Sequence, residues 1–196
     1  MSAEKTGPKL ARCFIAVNLP EELKEAIERE AAPLRASGAD VNWVAARNLH
    51  ITLKFLGYVP EEDLEKIEKI SLKVVSAYRP FEMELAGIGS FPEGRKSPRV
   101  IWVGANAPGG DLEKIQGGLE SALKELGFEP EERFSPHITL GRVKSNRNMP
   151  ILLRALTTLR ESLFGKIKVE KIDLMRSELK PGGAEYSIIK EMRFGQ

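Results

Sequence analysis

His50-Ile51-Thr52-Leu53 and His137-Ile138-Thr139-Leu140 are one tetrapeptide written twice, 87 positions apart, and they hold both histidines of this 196-residue chain. Average composition puts Ile-Thr-Leu after a given histidine on the order of once in a few thousand trials. Side chains alternate along a strand. Each copy, read as a strand, therefore turns Ile and Leu to one face and His and Thr to the other. The apolar pair packs beneath helices; the polar pair is free to face a cleft.

The surrounding pattern supports that reading. Residues 12–19 are rich in β-formers, and Pro20 opens a helix through Leu23, Ile27, Ala31 and Leu34. A short strand around residues 41–44 precedes the one beginning at His50. Pro60-Glu61-Glu62-Asp63 makes an acidic first turn for a helix through Leu64, Ile67, Ser71 and Val74. Strands are predicted over 81–88 and 99–104, flanking a Gly- and Pro-broken loop over 89–98. A helix then runs from Leu112 to Leu126 and stops at Gly127. Strand 137–143, a helix from Leu152 to Leu163, and strand 167–174 follow, and a turn at 180–183 leads to a last strand over 185–193.

The order is βαβαβ twice, over residues 12–90 and 99–177, plus the C-terminal strand. Arg12 precedes the first strand as Arg99 precedes its counterpart, and His50 maps onto His137. The expected fold is α+β: residues 1–196 form a single compact bilobal domain. Its two pseudo-symmetric lobes have antiparallel-rich sheets lining a central cleft, with helices outside. The cleft then presents two imidazoles and two hydroxyls. Imidazole titrates near neutrality, which suits removal of one proton and delivery of another, and hydroxyls donate to a tetrahedral oxyanion.

Composition narrows the alternatives. Hydrophobic residues are 42% and charged residues 30%, which argues against disorder. No apolar run approaches the roughly 20 residues of a membrane-spanning helix, and no secretory leader is expected. One cysteine, Cys13, excludes an internal disulfide or a multi-cysteine metal cluster. A reduced cytoplasmic monomer is the expectation. Net charge is only +2, yet it is segregated: residues 111–132 hold seven acids against Lys114 and Lys124, and residues 142–180 hold ten Lys or Arg against four acids. A two-histidine metal site is not expected, since catalytic zinc usually takes three protein ligands and no acid sits at ligand spacing to either histidine.

The twin motifs resemble those of the two-histidine (2H) phosphoesterase superfamily. Nearly the whole chain is similar to its RNA 2′,3′-cyclic phosphodiesterase branch, also called 2′-5′ RNA ligase-like. The matching stretches are Arg12-Cys13-Phe14-Ile15-Ala16, residues 48–57, Phe134-Ser135-Pro136 with the motif after it through Arg142, and Ser177-Glu178-Leu179. The resemblance implies opening of a ribose 2′,3′-cyclic phosphate at an RNA or nucleotide end to a 2′-phosphate, without metal or cofactor. It assigns His137 as the base that activates water and His50 as the acid that protonates the departing 3′ oxygen. Thr52 and Thr139 are to hold the non-bridging oxygens, and Arg142 is a further phosphate contact. Strict alternation turns Arg142 away from His137, so its role requires a bulge at Gly141.

Other candidates are Lys54, which alternation places on the His50 face, and Trp43, Phe55, Phe134 and Tyr186 as platforms for a base. Gly87-x-Gly89 lacks a third spaced glycine and no Walker sequence occurs, so an ATP-driven reaction is not expected. Two further readings stay open at this point: a 2′-5′ RNA ligase running the chemistry in reverse, and a non-catalytic module that binds RNA ends.

Overall fold

Alternation of small and branched apolar residues builds the first strand, β1 (Leu10–Asn18), with Ala11, Cys13, Ile15 and Val17 in the core and Arg12 outside. The computed structural model describes residues 8–131, 133–181 and 183–195. Residues 1–7 of the polar opening, Glu132 and Gly182 of the predicted turn lie outside the described residues. Pro20 starts α1 (Glu21–Glu30), whose leading Glu21 and Glu22 sit at the positive end of the helix dipole. α2 (Ala32–Ala36), β2 (Val41–Trp43) and β3 (His50–Pro60) follow. The acidic turn Glu61–Asp63 is a single 3₁₀ turn that feeds α3 (Leu64–Val75). Then come β4 (Phe81–Phe91), β5 (Val100–Asn106), α4 (Asp111–Leu123), β6 (His137–Val143) and α5 (Met149–Thr158). β7 (Leu163–Val169), β8 (Lys171–Lys180) and β9 (Gly183–Arg193) complete the chain.

The strands join in one antiparallel path, β7-β4-β5-β6-β3-β1-β8-β9, with β2 added to β6. Two halves of four strands meet at β3 and β6, through one pairing, Ile51 with Ile138. These are the central residues of the two tetrapeptides. Ile51, Leu53, Ile138 and Leu140 are buried on the helix-covered side with Ile27, Ile67, Leu112, Ile115, Leu119 and Leu152. Each fully buried Leu or Ile contributes about 1.5–3 kcal/mol. The opposite side at the junction is left to the motif polar residues.

Two features differ from the expected layout. First, residues 167–174 are not one strand: the chain breaks at Glu170, with β7 laid against β4 and β8 against β1 and β9. No Gly or Pro marks the break, so the β-forming run reads straight through it. Second, each pseudo-repeat lends its last strand to the other half of the sheet. β4 pairs with β5, while β8 pairs with β1 from Cys13–Arg176 to Ala16–Asp173.

Candidate active site

The site is assembled by the crossing of β3 and β6. In an antiparallel crossing centred on Ile51 and Ile138, His50 lies toward Thr139 and Thr52 toward His137. The histidines occupy one diagonal of a rectangle and the hydroxyls the other. Such diagonal neighbours have Cα atoms about 7–8 Å apart, room for one tetrahedral group between the two rings.

Both rings are held in the same way. His50 Nδ1 lies 2.7 Å from the carbonyl of Asn48, and His137 Nδ1 lies 2.7 Å from the carbonyl of Ser135. A carbonyl only accepts, so each Nδ1 carries the proton and donates it. That leaves each Nε2 as the nitrogen that gains or loses a proton. His50 Nε2 lies 3.0 Å from Thr52 Oγ1, which donates to it while the ring is neutral. Burial lowers the His50 pKa from its ordinary 6.5; the bond to the Asn48 carbonyl works the other way, and Lys24 and His137 add to the lowering.

Aromatic rings confine the imidazoles. Phe14 lies 4.8 Å from the His50 ring centroid, and Tyr186 meets that ring edge-on at 5.3 Å. Phe91 meets His137 edge-on at 5.2 Å. The open cavity above them has a volume of about 610 Å³, and His50, Thr52, His137 and Thr139 all line it.

Matching bulges shape the walls. On β6, Ile101 pairs with Gly141 and Trp102 with Thr139, so Leu140 is an extra residue and Arg142 turns into the cavity. On β3, Ile15 pairs with Lys54 and Ala16 with Thr52, so Leu53 is the extra residue, at the position equivalent to Leu140. This second bulge corrects the expectation for Lys54. It points away from the cleft into the core, 1% exposed, where Nζ donates to Glu120 Oε2 at 2.5 Å and to the Glu129 carbonyl at 2.9 Å. Phe55 takes the cleft side instead and remains 57% exposed.

Of the suggested platforms, Phe55, Phe134 and Tyr186 line the cavity. Trp43 does not; it packs against the core with the Arg35 guanidinium 5.1 Å over its ring. Gly141 is required here by close approach: a Cβ would come within 2.6 Å of Val41 Cγ1 and 2.8 Å of Trp43 Cε3. Arg12, Phe14, Phe91, Arg133 and Ser177 also line the cavity and were not marked as site residues by the motifs. The only signal for Arg12 and Ser177 was their place in the stretches 12–16 and 177–179. Among the described residues no three His, Cys, Asp or Glu side chains converge as a metal-ligand set.

Two Nδ1-anchored imidazoles facing each other over a pair of hydroxyls and a guanidinium define a phosphoesterase of the two-histidine type. The chain belongs to the LigT-like phosphoesterase family, which it matches over residues 17–102 and 103–186. It is 37% identical to the RNA 2′,3′-cyclic phosphodiesterase of Methanothermobacter thermautotrophicus, over 93% of this chain and 98% of the relative. The protein of the same name from Methanocaldococcus jannaschii is 36% identical, over 92% and 99%. Among solved structures, Thermus thermophilus TT0787 superposes with a TM-score of 0.76 at 32% identity, covering 93% of this chain and 97% of that one. E. coli LigT complexed with 3′-AMP gives 0.74 at 26% identity, covering 96% and 100%. No helix among the described residues is long and apolar enough to cross a membrane.

Proposed function

We propose that this protein hydrolyses 2′,3′-cyclic phosphate ends of RNA to 2′-phosphates by acid–base catalysis between His137 and His50. The observation that carries the reading is the pair of imidazoles on one diagonal, each with Nδ1 tied to a carbonyl, which leaves Nε2 as the nitrogen for proton transfer. The names of the relatives, at 36–37% identity over almost the whole chain, support the substrate.

In this mechanism His137 Nε2 takes a proton from water as the water oxygen bonds to phosphorus. The bond from phosphorus to the 3′ oxygen breaks on the far side, and His50 Nε2 delivers its proton to that oxygen. Both carbonyl-bound Nδ1–H groups stabilise the imidazolium forms that appear along the way. Thr52, Thr139 and Arg142 donate to the non-bridging oxygens, where charge builds. A bound phosphate anion beside His50 offsets the burial that strips its proton in the empty cleft.

The same reading takes the chain as one bilobal unit of two pseudo-repeats, supported by the equivalent bulges after Thr52 and Thr139. It also places the protein in the cytoplasm as a monomer. Phosphorus NMR of the product from a nucleoside 2′,3′-cyclic phosphate, in excess chelator, tests the chemistry. A 2′-phosphate is expected. A 3′-phosphate or a mixture contradicts the roles of the histidines; activity lost to chelator and restored by a divalent ion contradicts the metal-independent mechanism. Binding of RNA ends with no turnover leaves the binding-module reading.

A further inference from the structure

Arg12, Arg133 and Arg142 line the cleft, and among the described residues none of their guanidinium groups makes an ion pair or hydrogen bond. Elsewhere arginines such as Arg35 and Arg176 are paired to Glu28 and Glu61. Arg142 stands on β6, just past Thr139, where the reacting phosphate sits. Arg12 stands in the other half of the sheet. Its strand partner is Tyr58, and Phe14, the next residue on its face, pairs with Phe55.

With His50 as the acid for the 3′ oxygen, the ribose must lie on the His50 half, and water on the His137 half. Everything attached to the 5′ carbon of that ribose then leaves over β3 and β1. Ala16 is level with Thr52, and Arg12 lies four residues further along β1, about 13 Å at 3.3 Å per residue. One ribose and an extended arginine arm fill that gap. Phe55, exposed between the two levels, offers a face to the base.

We propose that Arg12 anchors a second phosphate subsite, one that takes the phosphate on the 5′ side of the reacting nucleotide and makes RNA chain ends better substrates than free nucleoside cyclic phosphates. The proposal rests on the role of His50 given above. Phosphate is the ligand class because a guanidinium fork matches two of its oxygens at once. Tyr58, opposite Arg12 and 68% exposed, continues the surface outward along the strand pair.

Adenosine 2′-monophosphate and adenosine 2′,5′-bisphosphate differ only in the 5′ phosphate, so calorimetry with the two reads the subsite directly. The wild-type protein is expected to bind the bisphosphate about ten- to a hundredfold more tightly, the worth of a hydrogen-bonded charge pair. In Arg12→Gln the two dissociation constants converge. In turnover, the ratio of kcat/KM for a dinucleotide cyclic phosphate to that for a nucleoside cyclic phosphate falls in the same variant. Equal wild-type affinities for the two ligands overturn the proposal. So does an equal loss for both ligands in Arg12→Gln, which moves Arg12 onto the reacting phosphate. The binding readout needs no turnover: a protein that prefers the bisphosphate yet hydrolyses neither substrate refutes the proposed reaction and keeps the subsite.

Discussion

Replacing Lys54 by Met tests the clamp beneath the active site. Lys54 is 1% exposed and Glu120 7%, with Nζ and Oε2 2.5 Å apart. Glu120 Oε1 accepts from Gln116 Nε2 at 2.8 Å, so the carboxylate has one neutral partner left once the lysine is gone. Removing one member of a buried pair typically costs about 3–5 kcal/mol, because the survivor is a buried charge without its counter-charge. At an m value of about 2–3 kcal/mol per molar urea, that moves the unfolding midpoint down by about 1–2.5 M. Glu120→Gln added to Lys54→Met removes the stranded charge while keeping a partner for Gln116. The double variant should recover about 1–3 kcal/mol relative to the sum of the single changes. Lys54 also donates to the Glu129 carbonyl, at the start of the loop that carries Arg133, Phe134 and Ser135 to His137. Turnover is therefore expected to fall in Lys54→Met at urea-free conditions where it is still folded. A loss of stability below about 1 kcal/mol, or a double variant no better than additive, refutes the argument that this pair is a desolvated, mutually dependent clamp.

His50→Ala and His137→Ala should each lower turnover by about 10²–10⁴-fold with the circular dichroism spectrum retained, and Thr52→Ala or Thr139→Ala by less, since each removes one neutral donor. The pH dependence should separate the free and bound states. With the His50 pKa lowered below 6.5 in the empty cleft, the alkaline limb of kcat/KM, where the acid loses its proton, falls on the acid side of 6.5. The limb of kcat lies at higher pH, because bound phosphate favours the imidazolium; a His50→Ala variant that keeps the kcat/KM limb refutes the assignment. Gly141→Ala should cost about 1–3 kcal/mol by overpacking against Val41 and Trp43, read by thermal melting, and should raise KM by moving the bulge that aims Arg142.

How far the sequence carried the fold and the site is best seen at the bulges. His50, Thr52, His137 and Thr139 were legible because a strand's two-residue period acts over three residues without interruption. Beyond Leu53 and Leu140 an extra residue shifts the phase. The glycine at 141 announced that shift for Arg142, but nothing in Leu53-Lys54-Phe55 announces it for Lys54, whose partner Glu120 is 66 residues away. Long-range pairing hid the rest. The break at Glu170 follows from which strand lies beside each segment, since local β-propensity is continuous across it. Trp43 reads as a platform for a base until β2 is seen to lie on Gly141 with Arg35 over the ring. Arg12 carried no local sign of facing the cleft, because that depends on the register of β1 against β3.

The exchange of last strands sets the order in which the protein can be made. β1 is synthesised before the other described strands, and β3 can cover one of its edges soon after. Its other edge waits for β8, whose Asp173–Arg176 stretch is synthesised long after β1 and β3. Until then β1 is an unpaired strand edge open to the same stretch of a neighbouring nascent chain. β4 likewise finds β5 a few residues after it is synthesised. Its other edge waits for β7, so each half of the sheet keeps an edge open until its late strand is made, β7 for the half that carries Arg142 and β8 for the half that carries His50 and Arg12. Contacts of such sequence separation are slow to form, so the closing of both halves is expected to be late in folding. A chain cut between β4 and β5 yields two pieces, each lacking a strand that only the other supplies, so the active site returns when the fragments are mixed and refolded together.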